Sequence, residues 1–232
     1  MSELSPGIYL VSTPIGNLGD LSERQIEILT DCDIIACEDT RRSKKILVKL
    51  KIKTRVISYH EHNELRKSQT LIDYVLNEKS VAVVSDAGTP GISDPAYRVV
   101  SEGIKNNIPI IPIPGPCSII TALVASGLPT DSFVFEGFLP QKGEKRRGKI
   151  ETLLNENRTV VLFESPFRIH KLVDEIALLD SERKIVIARE LTKVYEEFIR
   201  GTSLEVSQLL CNRKLKGEIV VIIDRKKRTK ID

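Results

Sequence analysis

The stretch Val81-Ala-Val-Val-Ser-Asp-Ala-Gly-Thr-Pro-Gly-Ile-Ser-Asp-Pro95 decides the reading of the fold. A short β-branched run ends in a glycine-rich turn, and Asp94-Pro95 then supplies a capping residue followed by a proline suited to the first position of a helix. This is the grammar of a buried strand feeding a helix. The same unit recurs along the first half. Ile8–Ser12, Asp33–Cys37, Arg55–Tyr59, Val81–Ser85 and Ile108–Ile113 read as buried strands. Amphipathic segments lie between them: Arg24–Thr30 behind an Asp20-x-x-Glu23 capping pattern, Thr40–Leu50, Glu61–Glu78 and Ala96–Lys105. Strand–helix alternation predicts an α/β fold with a mainly parallel sheet.

Ile111-Pro-Ile-Pro-Gly-Pro116 is too proline-rich for a helix interior and poorly suited to a central strand, so it reads as a strand end plus linker. Beyond it, strands are expected at Phe133–Phe138, Thr159–Phe163, Lys184–Ala188, Glu196–Arg200 and Glu218–Ile223. Helices are expected at Cys117–Ser126, Lys145–Asn155, Phe167–Leu179 and Ser203–Asn212. A strand running straight into the Thr202-x-x-Glu205 capping box points to antiparallel neighbours, hence a mixed sheet. The organisation expected is therefore two α/β domains, residues 1–114 and 115–232, which suits a chain of 232 residues.

Composition narrows the function. With 41% hydrophobic and 29% charged residues the chain is an ordinary globular sequence, which excludes collagen, disulfide scaffolds and disordered tails. A net charge of +3 leaves any nucleic-acid role to local clustering. Aromatics at 5% without tryptophan are sparse for a protein that stacks bases. No apolar run reaches the length of a membrane span, and Met1–Ser5 has no secretory character. Cys32, Cys37, Cys117 and Cys211 fit no zinc spacing, and His60 and His62 stand apart from them. A cytoplasmic, metal-free protein is expected.

Three glycine-rich turns follow strands: Thr13–Asp20, Ser85–Asp94 and Pro114–Ile119. Ligands of parallel sheets sit at such carboxyl ends, where glycine lets them approach the backbone. None of the three is a Walker loop or a G-x-G-x-x-G fingerprint, so no phosphate cradle is implied. Each could equally be a tight connection. Asp86, at a strand tip, could accept from a ribose hydroxyl, pair with an ammonium group, or cap its own turn. Basic residues cluster at Arg41–Lys53 (Arg41, Arg42, Lys44, Lys45, Lys49, Lys51, Lys53), at Lys142–Lys149 (Lys142, Lys145, Arg146, Arg147, Lys149) and at Arg225–Lys230. Such runs suit a phosphate backbone or form a solvated face.

These loops resemble those of the tetrapyrrole methylase family of S-adenosyl-L-methionine-dependent methyltransferases. The closer likeness is to its bacterial branch that methylates the ribose 2′-oxygen of a cytidine in 16S ribosomal RNA. The segments that carry it are Leu10–Asp20, Ala36–Arg42, Ser85–Pro95, Ile113–Ser118, Phe135–Pro140, Phe163–Arg168, Ala188–Lys193 and Gly217-Glu218, in order along nearly the whole chain. One departure is Cys117, where a small residue such as serine is expected. The resemblance implies a homodimer of two-domain chains, with the donor in a cleft between domains and 16S rRNA or the small ribosomal subunit as partner. Donor-binding positions carried over are Leu10, Pro14, Asp86, Gly88, Thr89, Ser118 and Ile119, with Phe163 and Leu191 by approximate alignment.

A ribose hydroxyl needs a base or acceptor to take its proton. Glu38 and Asp39 beside Arg41 are the catalytic candidates, with Glu164-Ser165 behind them. The alternative for Glu38 and Asp39 is a salt-bridged network at a strand end. Arg41, Arg42, Lys142, Lys145, Arg146 and Arg147 are the expected RNA contacts. A carbon methyltransferase of a cobalamin or sirohaem precursor is the same-fold alternative, and a noncatalytic ribosome-assembly factor is the alternative from another class.

Overall fold

The computed structural model describes residues 4–226. It divides into two compact units, one ending at Cys117 and one beginning at Ser118. The first is an α/β unit in the order β1 (Gly7–Val11), α1 (Glu23–Asp31), β2 (Ile34–Cys37), α2 (Thr40–Lys49), β3 (Arg55–Ser58), α3 (Glu64–Leu76), β4 (Ser80–Val84), α4 (Tyr97–Lys105) and β5 (Ile110–Ile113). The strands form one sheet, β3-β2-β4-β1-β5, with every pairing parallel.

Alternation along these strands fills both faces. Ile8, Ile34, Ala36, Val81 and Val83 pack on one side with Leu71, Ile72 and Val75 of α3 and Val99 of α4. Tyr9, Val11, Ile35, Cys37, Ala82 and Val84 pack on the other with Ile28 and Leu29 of α1 and Leu47 of α2. Burial on both faces is why these runs read as continuous Ile and Val.

The second unit runs α5 (Ser118–Val124), β6 (Phe133–Phe138), α6 (Glu144–Leu154), β7 (Thr159–Glu164), α7 (Ile169–Leu179), β8 (Lys184–Arg189), β9 (Glu197–Thr202), α8 (Ser203–Leu210) and β10 (Ile219–Ile223). Its sheet, β6-β7-β10-β8-β9, is mixed: β6 and β7 are parallel, and the other pairings are antiparallel. The wholly buried β10 lies at the centre of this sheet.

Two helix starts differ from expectation. Ser22, not Asp20, caps α1, in a reciprocal box with Gln25, while Asp20 closes a short 3-10 turn. Ser22 wins because Gln25 at the third helical position can reach back to its amide. Likewise Asp94 does not cap α4. That helix starts at Tyr97 behind Ala96, with no side-chain cap, and Asp94 is left for other work. The proline-rich segment also resolves simply. Pro112 lies within β5 itself, which is tolerated because β5 is an edge strand. In the third basic run, Arg225 pairs with Asp131 and Lys226 bonds Asn155; Lys227, Arg228 and Lys230 lie outside the described residues.

Candidate functional site

In the first unit the glycine-rich turns meet at the carboxyl ends of the strands. Thr13 and Gly88 exchange backbone hydrogen bonds of 2.8 and 3.0 Å. The Thr13 hydroxyl donates to the Ser85 carbonyl at 3.0 Å, and the Ser85 hydroxyl donates to the Gly88 carbonyl at 2.8 Å. Gly88 has φ +87°, a left-handed conformation that glycine adopts without a Cβ penalty. Thr89 donates to the Pro116 carbonyl at 3.1 Å, tying in the third turn. There a Cβ on Gly115 would collide with the Gln25 amide, itself fully buried and donating to the Ser12 carbonyl at 2.7 Å. Leu10, half-buried in β1, and Pro14, beside the Thr13–Gly88 bridge, belong to the same corner. The three turns are thus one cross-bonded rim, stiffened by short side chains that satisfy its backbone.

Carboxylates gather beside this rim. Asp86 accepts the Asp39 amide N–H at 3.1 Å and Arg42 Nη1 at 3.1 Å. That interaction joins the tip of β4 to the start of α2 through Arg42, a guanidinium of the protein itself. Asp39 caps α2 by accepting from the Arg41 amide at 2.8 Å, and it also pairs with the exposed Arg41 guanidinium. Hydrogen bonds from Arg41 hold the Asp39 carboxyl down at about 2. Glu38 goes the other way: burial, then the nearby Asp86 charge, raises it. Asp94 is pushed up to about 6 by burial and by the Glu38 and Asp86 charges. Glu38, Asp86 and Asp94 therefore form one electrostatically coupled cluster. Asp94 was missed as a member because Asp-Pro reads as a helix cap. Its neighbour Ser93, at φ +61°, turns the chain so that the helix starts later.

In the second unit the structure corrects one expectation. Arg146 is no RNA contact. Its side chain is 1% exposed, and its Nη1 donates to Glu164 at 3.2 Å and to the Pro140 carbonyl at 3.1 Å. Nε donates to Glu175 of α7 at 2.8 Å. Arg168 completes the network on Glu164 at 2.7 Å. A buried carboxylate must be paired, and a basic run read from sequence does not reveal which member turns inward. Lys142, Lys145 and Arg147 stay exposed, as do Arg41 and Arg42. Lys149 pairs with Glu136.

Phe163 lies against Phe135 and Phe138, at ring distances of 5.0 and 5.5 Å. Leu191 is buried in the β8–β9 turn between two residues of positive φ, Glu190 and Thr192. Ser118 opens α5, and Ile119 is buried. The His60 and His62 rings are 6.0 Å apart; among the described residues no group of three or more His, Cys, Asp or Glu could hold a metal ion.

The model of the family described as tetrapyrrole (corrin/porphyrin) methylases matches residues 7–207. Among curated proteins, "Ribosomal RNA small subunit methyltransferase I" of Vibrio cholerae is 46% identical over 226 residues, covering 94% of this chain and 77% of that protein. The protein so named from Hydrogenobaculum is 43% identical over 220 residues, covering 94% of this chain and 95% of its own. Among solved structures, uroporphyrin-III-C-methyltransferase from Thermus thermophilus superposes with a TM-score of 0.66 at 18% identity, covering 94% of each chain, a likeness of fold. The chain belongs to the tetrapyrrole methylase family and, within it, to the ribosomal RNA small subunit methyltransferase I branch.

Proposed function

We propose that the protein transfers the methyl group of S-adenosyl-L-methionine to the ribose 2′-oxygen of a cytidine in 16S ribosomal RNA. The observation that carries this reading is 46% identity, across 94% of the chain, to a protein named for small-subunit ribosomal RNA methylation. On the same reading it is a cytoplasmic homodimer acting on 16S rRNA or the small subunit.

The first unit suits such a donor. When bound, S-adenosyl-L-methionine supplies an electrophilic methyl group on a sulfonium. A cationic, hydroxyl-rich molecule calls for acceptors, and the rim offers carboxylates at Asp86 and Asp94 beside backbone fixed by Thr13, Ser85 and Thr89. Asp86 accepts from the donor while Arg42, bonded to it, holds it in position. Leu10, Pro14, Gly88 and Thr89 line the donor on this unit; Ser118, Ile119, Phe163 and Leu191 are the contribution of the second.

Glu38 takes the proton of the attacking 2′-hydroxyl. Of the two neighbouring carboxylates it is the better base, because its affinity for a proton is raised while Arg41 keeps Asp39 ionised. Asp39 and Arg41 act by fixing the start of α2, and with it Arg42. Arg41, Arg42, Lys142, Lys145 and Arg147 hold RNA phosphates.

The test is incubation of purified small subunits, and separately of a uroporphyrinoid, with labelled donor. Label should enter 16S rRNA alone. Glu38→Gln should lower kcat by about 10²–10⁴-fold with donor affinity kept. Label in the uroporphyrinoid would favour the carbon-methyltransferase alternative. Donor binding without transfer to either substrate would reject both.

A further inference from the structure

We propose that Phe167 is a stacking platform for an unpaired base of the RNA substrate; this rests on the RNA reading above and names the contact that the second unit makes. Phe167 is 91% exposed. A phenyl ring that stands in water without covering anything is costly to keep, and a lone exposed apolar residue would need no comment. This one differs in how it is held. The turn Ser165-Pro166-Phe167-Arg168 is bonded through each of its amide N–H groups. The Phe167 amide donates to the Ser165 hydroxyl at 3.2 Å, and the Arg168 and Ile169 amides donate to the Ser165 carbonyl at 2.9 and 3.0 Å. The Ser165 amide in turn donates to Glu164 at 2.8 Å.

Glu164 is fully buried and clamped by Arg146 and Arg168. The buried ion pairs thus anchor the ring-bearing turn to the end of β7. The same guanidinium fixes the basic segment. Arg146 Nη1 bonds both Glu164 and the Pro140 carbonyl, so the exposed Lys142, two residues past Pro140, and Phe167, three past Glu164, flank one buried group. Lys142 and Lys145 enter no ion pair among the described residues, which leaves their charge for an outside anion.

Phe138, itself exposed, and Phe163 lie at the same end of the parallel β6–β7 pair. Two exposed phenylalanines, Phe138 and Phe167, thus lie at or just beyond the ends of β6 and β7. A rigid exposed ring whose turn is tied through Glu164 and Arg146 to the segment bearing the unpaired lysines suits a single strand, whose bases stack on aromatic faces while its phosphates meet cations. The occupant is therefore a nucleotide of unpaired RNA, not an apolar protein surface, which would leave the lysines uncompensated.

The chain has no tryptophan, so Phe167→Trp installs a single indole at the platform. Its fluorescence should be quenched by a single-stranded, cytidine-containing RNA oligonucleotide and by purified small subunits. Phe167→Ala should weaken subunit affinity by about five- to a hundredfold with donor affinity unchanged. Phe167→Leu should be no better than Phe167→Ala, because an aliphatic side chain offers apolar area without a π-face.

The proposal is overturned if the indole emission is unmoved at RNA saturation, if leucine restores affinity, or if Phe167→Ala shifts the protein to a smaller species in sedimentation, which would make the patch an interface between copies. If wild-type protein neither binds nor methylates subunits, the RNA reading itself fails and this proposal falls with it. Methylation that proceeds with a silent indole rejects the platform alone.

Discussion

Asp94 shows how burial retunes an ordinary side chain. Its carboxyl is raised from 3.8 to about 6, first by burial and then by the Glu38 and Asp86 charges. A raised carboxyl favours the folded state only while protonated, so that contribution is complete below about pH 4 and lost as the pH climbs through 6. Above that range the folded protein carries a strained charge. Asp94→Asn should accordingly raise stability by about 1–2 kcal/mol at pH 8, within the size of the shift, and the gain should vanish toward pH 4. Denaturant unfolding at the two pH values checks this; equal gains at both would mean the cluster is not coupled as described.

Asp86 makes the neighbouring test. Its removal frees Arg42 and the Asp39 amide and deletes the acceptor proposed for the donor. Asp86→Ala should weaken donor binding about ten- to a hundredfold in a protein that still folds. Calorimetric titration with unchanged affinity would take Asp86 out of the donor site.

At the scale of elements, Arg146 ties α6, the end of β7 and α7 together. Removing it leaves Glu164 buried with Arg168 as its remaining ion-pair partner. Arg146→Ala should therefore destabilise the protein by about 3–5 kcal/mol, whereas Lys145→Ala with Arg147→Ala should leave stability within about 0.5 kcal/mol and lower RNA affinity. Thermal unfolding beside RNA titration separates the two. A stable Arg146→Ala variant with weakened RNA binding would return Arg146 to the surface.

This is also where reading from sequence reached its limit. Elements were legible because period is a local property: the doubly buried strands of the first sheet announce themselves as Ile and Val, and the Thr202–Glu205 box marks the start of α8 within four residues. Which residue of a run faces inward is not local. Lys145, Arg146 and Arg147 look alike in sequence, and only a carboxylate supplied eighteen residues further on, at Glu164, selects Arg146. For the same reason Asp94 reads as a cap until its distant neighbours are placed. The turns Thr13–Asp20 and Ser85–Asp94 were legible as glycine-rich connections at strand ends, where either a ligand rim or a tight turn fits. That Thr13 and Gly88 bond each other was not, since it depends on β1 and β4 being neighbours in the sheet.

For the whole molecule, charge is a matter of distribution. The chain is only +3 overall, yet Lys142, Lys145 and Arg147 in one unit and Arg41 and Arg42 in the other are exposed. Four to six phosphate contacts on single-stranded RNA would give a log–log salt slope of roughly −3 to −4. Donor binding, which displaces few counterions, should stay nearly flat over the same range. Affinity for small-subunit RNA across a salt series at fixed magnesium measures it, and a flat RNA dependence would count against phosphate contacts by these residues.

The central claim is the position of the new methyl group. A methylated 2′-oxygen cannot attack the adjoining phosphodiester, so that linkage survives alkali while all others are cut. Small-subunit RNA treated with the protein and labelled donor should yield, after alkaline hydrolysis, label in an alkali-resistant dinucleotide that begins with cytidine. Label recovered instead in mononucleotides would place the methyl on a base and contradict the account.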